Sequence, residues 1–542
     1  MALSLFKKKP QSVEVEQQTP TSQAVQPSET MFKLDLTPTV AQLPDFPDKT
    51  MINVRYPLTP PYAFAHIYWD STLNELIYEV EEPVLSDDEQ KTYKILEDAI
   101  REIINISMLN ARDVNTVIEY LEKNLKVLIS EFKLKVPSES FLKMMYYIYR
   151  NFVGMNEIDP LLNDYFIEDI ECNGVNTPIY IVHRKYRNMR TSVVYTDIKV
   201  LTNFVEKLAQ KCGKYISYAN PLLDGRLPSG DRVNATYTQD ISSKGPTFTI
   251  RKFTKEPWTP IKLMDFGTVS PEILAYLWLL IEYEANLIVI GGTGSGKTSF
   301  LNSIAFFIPP AARVVSIEDT KELNILHENW LPSVARAGMG AATITGERHG
   351  EVSLFDLLRE SFRQRPDYVI VGEIRGQEAF VLFQGAASGH PTMSTMHAES
   401  VETMIRRLET QPINLSPALV ETLDCVCVMI ETKVRGRSVR RLKEVVEIVK
   451  VQEEIGHAVT NTPFVRDPAK DIFYFKADSR VFDKISTQHG ISKSDLYAEF
   501  KRRTAFLMAL YRNKVFGFKE VHDMIVSYYK NPKAMLRKFG IP

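Results

Sequence analysis

Residues 288–300 read "IVIGGTGSGKTSF", and this stretch decides how the rest of the chain is read. Aliphatic residues run into Gly291, Gly292, Gly294 and Gly296, and Lys297 and Thr298 then open a helix-compatible run. The spacing is G-x-x-x-x-G-K-S/T. A backbone that wraps phosphate oxygens needs converging N–H groups and left-handed turns, which side chains would obstruct. A helix starting near Lys297 adds its dipole and its unpaired amides. The reading assigns Gly292, Thr293, Gly294, Ser295, Gly296, Lys297, Thr298 and Ser299 to a nucleotide. Lys297 supplies a mobile charge for the β- and γ-phosphates, and Thr298 a hydroxyl for Mg²⁺. The plain alternative is a Gly-rich turn, but "NLIVI" before it reads as a strand and "KTSFLNSIAFFI" after it as a helix.

Further elements follow at intervals. "RVVSIEDTKEL" places Glu318 and Asp319 at a strand end. In a parallel sheet that end shares an edge with the phosphate loop. "RPDYVIVGEIRG" is a third strand, with Gly372 and Glu373 where an ordinary Walker B carries Asp, and with Arg375 just beyond. Glu373 is a candidate to hold Mg²⁺ or position the attacking water. "GHPTMSTMHAES" carries His390 and His397, whose spacing from other ligand types argues against a metal site. Strand-like and helical runs alternate from 271 to 450, the rhythm of a parallel α/β sheet.

The surrounding chain has 542 residues, enough for several domains. Residues 1–55 are rich in Pro, Gln, Ser and Thr and are expected to form a flexible tail. Strands and then helices are expected over 56–155, an α+β domain over 156–256, a linker over 257–270 around Pro257 and Pro260, and a mainly helical region over 451–542. A net charge of −2 gives no support for nucleic-acid binding. Four cysteines without a CxxC pair indicate neither a disulfide framework nor a zinc site. Cys425 and Cys427 alternate in "CVCVMI" and read as strand core. The longest apolar candidate for a membrane span, "ILAYLWLLIEYEANLIVIGG", is broken by Glu282 and Glu284, so the expectation is a soluble intracellular protein.

The set "GGTGSGKT", "IEDTKEL", "VIVGEIRG" and "GHPTMSTMHAES", in that order, resembles the secretion ATPase superfamily, which drives type II secretion, type IV pilus assembly and conjugative type IV secretion. The boxes match that family's Walker A, Asp box, atypical Walker B and His box. "EDIECNG", "GRLPSGDRVNA" and "FTIRKF" look like its second domain, and the C-terminal helices like its archaeal branch. The resemblance implies a RecA-like P-loop motor domain with ATP and Mg²⁺ as ligands. It implies a homo-hexameric ring at the cytoplasmic membrane, pushing on a polytopic platform protein that adds prepilin-like subunits to a filament. Carried over by position, Glu318 and Glu373 share metal coordination and activation of water, with Asp319 and Arg375 as further candidates, and His397 holds the His-box position. Arg226, Arg232 and Arg251 become candidates to reach the phosphates from across a domain or subunit boundary; ordinary salt bridges are the competing reading. The rival function is a nucleic-acid-translocating or conjugation-type NTPase, which stimulation by DNA or RNA would reveal.

Overall fold

The computed structural model describes residues 32–35, 43–44, 46–104, 114–253, 256–336, 338, 349–434, 437–452 and 454–541. Two units divide the chain, Met1–Phe253 and Thr254–Pro542.

In the first unit, short strands rich in aromatic and β-branched residues form one sheet. They are β1 (Asn53–Thr59), β2 (Ala63–Asp70), β3 (Glu75–Glu81), β4 (Ile167–Cys172), β5 (Pro178–His183), β6 (Arg187–Val194), β7 (Leu222–Arg226), β8 (Arg232–Thr236) and β9 (Thr247–Arg251). Their order is β1-β2-β3-β6-β5-β4-β9-β8-β7. All neighbours are antiparallel except β3 and β6, which pair in parallel through Ile77 with Arg190 and Tyr78 with Thr191. That junction corrects the expected boundary near residue 155. The leading strands extend the later sheet, and one core takes Ile67 and Tyr78 together with Ile181, Val233 and Ile250. The helices Asp87–Ile103, Val114–Glu131 and Ser138–Phe152 add Leu96, Leu121 and Met145 to it. The first helix starts at a capping box: Ser86 Oγ accepts from Glu89 N, and Glu89 Oε2 accepts from Ser86 N.

The expected tail is corrected where it is described; most of it lies outside the described residues. Phe32 is 2% exposed in the core and stacks on Tyr62 at 5.2 Å between ring centroids. Lys185 Nζ donates to Leu43 O at 2.5 Å, and β1 already begins at Asn53. A Pro-rich polar segment cannot build a core of its own, but one aromatic side chain docks on a core built by others. Phe32→Ala is expected to lower unfolding free energy by about 3 kcal/mol. Denaturant unfolding of the full chain measures this, and an unchanged midpoint would show that the docking adds nothing.

In the second unit the strands are β10 (Leu287–Gly291), β11 (Val314–Glu318), β12 (Trp330–Val334), β13 (Tyr368–Ile374), β14 (Thr392–His397), β15 (Cys425–Val434), β16 (Arg437–Val451), β17 (Ala458–Asp467) and β18 (Ile472–Phe475). The order is β12-β11-β13-β14-β10-β15-β16-β17-β18. It is parallel from β12 to β15 and antiparallel beyond. Both faces of the parallel part are covered, so β10 is buried at every position. Leu287, Val289, Cys425 and Cys427 enter one core, while Ile288, Ile290, Val426 and Val428 enter the other. The apolar stretch tested above as a span is the buried helix Pro271–Glu282 followed by a turn and β10. Trp278 on that helix stacks on Phe307 and lies under the Arg503 guanidinium. Among the described residues no helix is long and apolar enough to cross a membrane.

One expectation is corrected here. The linker over 257–270 contains a helix, Pro260–Asp265, whose Ile261 and Leu263 are buried in this unit's core. Pro260 opens that helix, where a missing N–H costs nothing, and Thr259 Oγ1 caps it by accepting from Lys262 N at 3.2 Å. The C-terminal region is mainly helical from Arg480–His489 on, as expected, and is preceded by β17 and β18, which extend the sheet.

Candidate functional site

The loop after β10 is shaped by glycine. Gly294 and Gly296 have φ of 73° and 91°, in the left-handed region. A Cβ on Gly291 would stand 2.3 Å from Met429 O and 2.6 Å from Ser295 Oγ, so no side chain fits there. Gly296 precedes the helix Lys297–Ile304. Thr293 is exposed, Thr298 and Ser299 are half-buried, and Ser295 is buried with its Oγ donating to Gly292 O at 2.8 Å. Lys297 Nζ donates to that same carbonyl at 3.0 Å. Burial pulls the Lys297 ammonium below its ordinary range, against the opposing charges of Glu373 and Glu322. The loop therefore uses one of its own carbonyls as acceptor for its cation.

The parallel sheet brings β14 next to β10, with β13 and then β11 beyond it. All four strands point the same way, so their C-terminal ends form one rim beside the loop. His397 ends β14, and its Nδ1 lies 3.3 Å from Lys297 Nζ. Its Nε2 lies 3.0 Å from Glu373 Oε1, a polar contact outside hydrogen-bond alignment. Burial, then the Lys297 charge, hold the His397 imidazole below its ordinary range, against the pull of Glu373. A neutral ring accepting from Lys297 at Nδ1 carries its proton on Nε2, toward Glu373. Glu373 Oε2 accepts from Arg375 Nη2 at 2.5 Å. That hydrogen bond is the largest influence raising Arg375 above its ordinary value, with Asp319 and Glu322 adding to it. Lys297, His397, Glu373 and Arg375 thus form one continuous chain of polar contacts.

Glu318 ends β11 and is 2% exposed. Its Oε1 accepts from Glu322 N at 2.8 Å and Leu323 N at 2.9 Å, two backbone donors that fix the carboxylate. The unusual Gly372 is explained by this neighbour. A Cβ there would stand 3.0 Å from Glu318 Cγ, so the missing side chain is room for Glu318. Thr395 Oγ1 donates to Gly372 O at 2.6 Å and fixes that backbone against β14.

Other predicted residues fall elsewhere. Asp319 is exposed at the turn after β11. His390 precedes β14 and His397 ends it, so the two stand at opposite ends of one strand. His390 packs edge-on against Phe362, 5.0 Å between ring centroids. The three arginines belong to the first unit and fall in one row across three strands. Arg226 is register partner to Arg232, and Arg232 to Arg251. Like charges directly opposite one another are unfavourable. Asp224 holds Arg232 at 3.3 Å and Asp169 holds Arg251 at 3.4 Å, both at the surface. Sequence reasoning missed Arg440 of β16, whose Nε donates to Gly294 O at 2.9 Å. The two residues are 146 apart in the chain, and only the β15–β16 register joins them.

A glycine loop closing the central strand of a parallel sheet, with carboxylates at the ends of β11 and β13, defines a RecA-like P-loop domain, here accompanied by a preceding α+β unit. The chain belongs to the family described as Type II/IV secretion system protein, which it matches over residues 155–460. It is 36% identical over 402 residues to the uncharacterized protein MJ0900 of Methanocaldococcus jannaschii, covering 73% of this chain and 72% of that protein. It is 30% identical to the type IV secretion system protein PtlH of Bordetella pertussis over 43% of this chain and 76% of that protein. Among solved structures it is similar to the VirB11 ATPase of the Brucella suis type IV secretion system. The identity is 23%, over 53% of this chain and 94% of that one, with a TM-score of 0.27.

Proposed function

We propose that the chain is a motor ATPase that hydrolyses ATP to power assembly of a type IV pilus-like filament or secretion through a membrane machine. One observation carries the reading: the contact chain from Lys297 through His397 to Glu373 runs beside the phosphate loop, with Glu318 held next to it. The residues present fit a nucleoside triphosphate with Mg²⁺. Left-handed glycines leave the loop backbone bare, and Lys297 already occupies an acceptor that a phosphate oxygen can replace. Among the described residues no group of three or more His, Cys, Asp or Glu could hold a metal ion. Mg²⁺ is typically bound through one or two side chains and the substrate's own phosphates. Thr298 and Glu373 would hold it, and when bound it polarises the phosphoryl oxygens.

In this reading Lys297 exchanges the Gly292 carbonyl for a phosphate oxygen. His397 keeps Lys297 and Glu373 apart yet linked, taking a hydrogen bond from one and facing its proton to the other. Glu318 and Glu373 share the orientation of the attacking water. The arginine row of the first unit supplies positive charge to the phosphates in a ring of six copies. The ring works at the cytoplasmic face of a membrane against a polytopic platform protein, through which prepilin-like subunits are added.

Glu318→Gln and Glu373→Gln test the chemistry. Each is expected to keep ATP affinity near that of the wild type and to lose about 100-fold or more in kcat, since each acts on water and metal more than on ATP. Steady-state phosphate release and nucleotide titration separate the two effects. Wild-type rates in both variants would remove these carboxylates from the mechanism.

A further inference from the structure

Arg440 stands opposite Glu431 in the β15–β16 pairing and lies along the phosphate loop. Its Nε donates to Gly294 O at 2.9 Å, and a Cβ on Gly296 would stand 3.2 Å from its Cδ. Its backbone is firmly held. The next residue, Arg441, is 7% exposed; its Nε and Nη2 donate to Asp471, and its Nη1 donates to Phe266 O at 2.9 Å. Leu442 N donates to Thr268 O at 2.9 Å.

In a trans peptide, one residue's carbonyl and the next residue's N–H point in opposite directions. A Gly294 carbonyl fixed on the Arg440 side therefore turns the Ser295 N–H the other way. That N–H makes only a long bond of 3.4 Å to Gly292 O, beyond the ordinary N–H···O range. Gly292 O is also the acceptor for Lys297 Nζ and Ser295 Oγ. Three donors thus converge on one carbonyl, and the peptide that aims one of them is pinned by Arg440.

We propose that Arg440 is a positioning residue for the phosphate loop, fixing the Gly294–Ser295 peptide so that the loop presents its donors to the phosphates of a nucleoside triphosphate. This rests on reading the loop as an ATP site. Binding of a fluorescent ATP analogue tests it, with thermal unfolding in the absence and presence of Mg-ATP. Arg440→Ala is expected to weaken binding about tenfold or more. It should leave the unliganded melting temperature near that of the wild type and shrink the shift caused by Mg-ATP. Arg440→Lys, whose ammonium can reach the same carbonyl, is expected to recover most of the affinity. Affinity for Arg440→Ala within about twofold of the wild type, a change too small for a lost charged hydrogen bond, would overturn the proposal. So would failure of the lysine to rescue. Lys297→Ala is measured alongside. If neither it nor the wild type binds ATP, the nucleotide reading itself falls and this inference with it. If the wild type binds, Lys297→Ala does not, and Arg440→Ala matches the wild type, only the role of Arg440 is lost.

Discussion

Lys297→Ala is expected to abolish ATP binding and hydrolysis together while leaving the fold intact. The residue is 7% exposed, and its polar contacts are a loop carbonyl and a histidine ring nitrogen. Burial disfavours its charge. Its removal therefore costs little stability, and it takes away the cation that the phosphates need. The unliganded melting temperature should stay near that of the wild type, and the stabilisation that excess Mg-ATP gives the wild type should vanish. A variant that still melts higher in Mg-ATP would move nucleotide binding away from this loop.

Arg232→Ala and Arg251→Ala are each expected to bind ATP and assemble, yet to lose about 10³-fold in kcat, the effect of removing an arginine from a phosphoryl transition state. Their ion pairs with Asp224 and Asp169 are exposed, so each should cost no more than about 1 kcal/mol of stability. The three arginines share one row on adjacent strands, with Asp224 and Asp169 beside two of them. Mixed assemblies identify the copy that each arginine serves. If it serves a neighbour, mixing Arg251→Ala with Lys297→Ala restores part of the activity, because some sites combine an intact loop with an intact arginine. Service within the same chain gives no recovery. Normal turnover in both homogeneous arginine variants would reduce the row to surface salt bridges.

The sequence carries the phosphate loop because its determinants are local: glycine spacing, a preceding apolar strand and a following helix. The parallel sheet is legible for a similar reason, since strands covered on both faces read as unbroken apolar runs. Gly372 is visible as an anomaly but not as a solution, because what fills its space is the side chain of Glu318 on the neighbouring strand β11. Arg440 gives no local signal at all; only an antiparallel register brings it to the loop. The strands past 451 escape a pattern reading because their buried positions include charge. Arg466 of β17 is buried and shares Asp471 with the buried Arg441 of β16, which breaks the alternation of apolar and polar residues that marks a strand. Phe32 is lost in a segment whose composition argues for a tail, and Pro260 marks a helix start where proline spacing suggests a linker.

The central claim is that this loop and its two glutamates hydrolyse ATP. Phosphate release from Mg-ATP by the wild-type chain, measured beside Lys297→Ala, tests it most directly. The account predicts steady release by the wild type that stops when Mg²⁺ is chelated and is absent in the variant. Release by the wild type no greater than that of Lys297→Ala would contradict it.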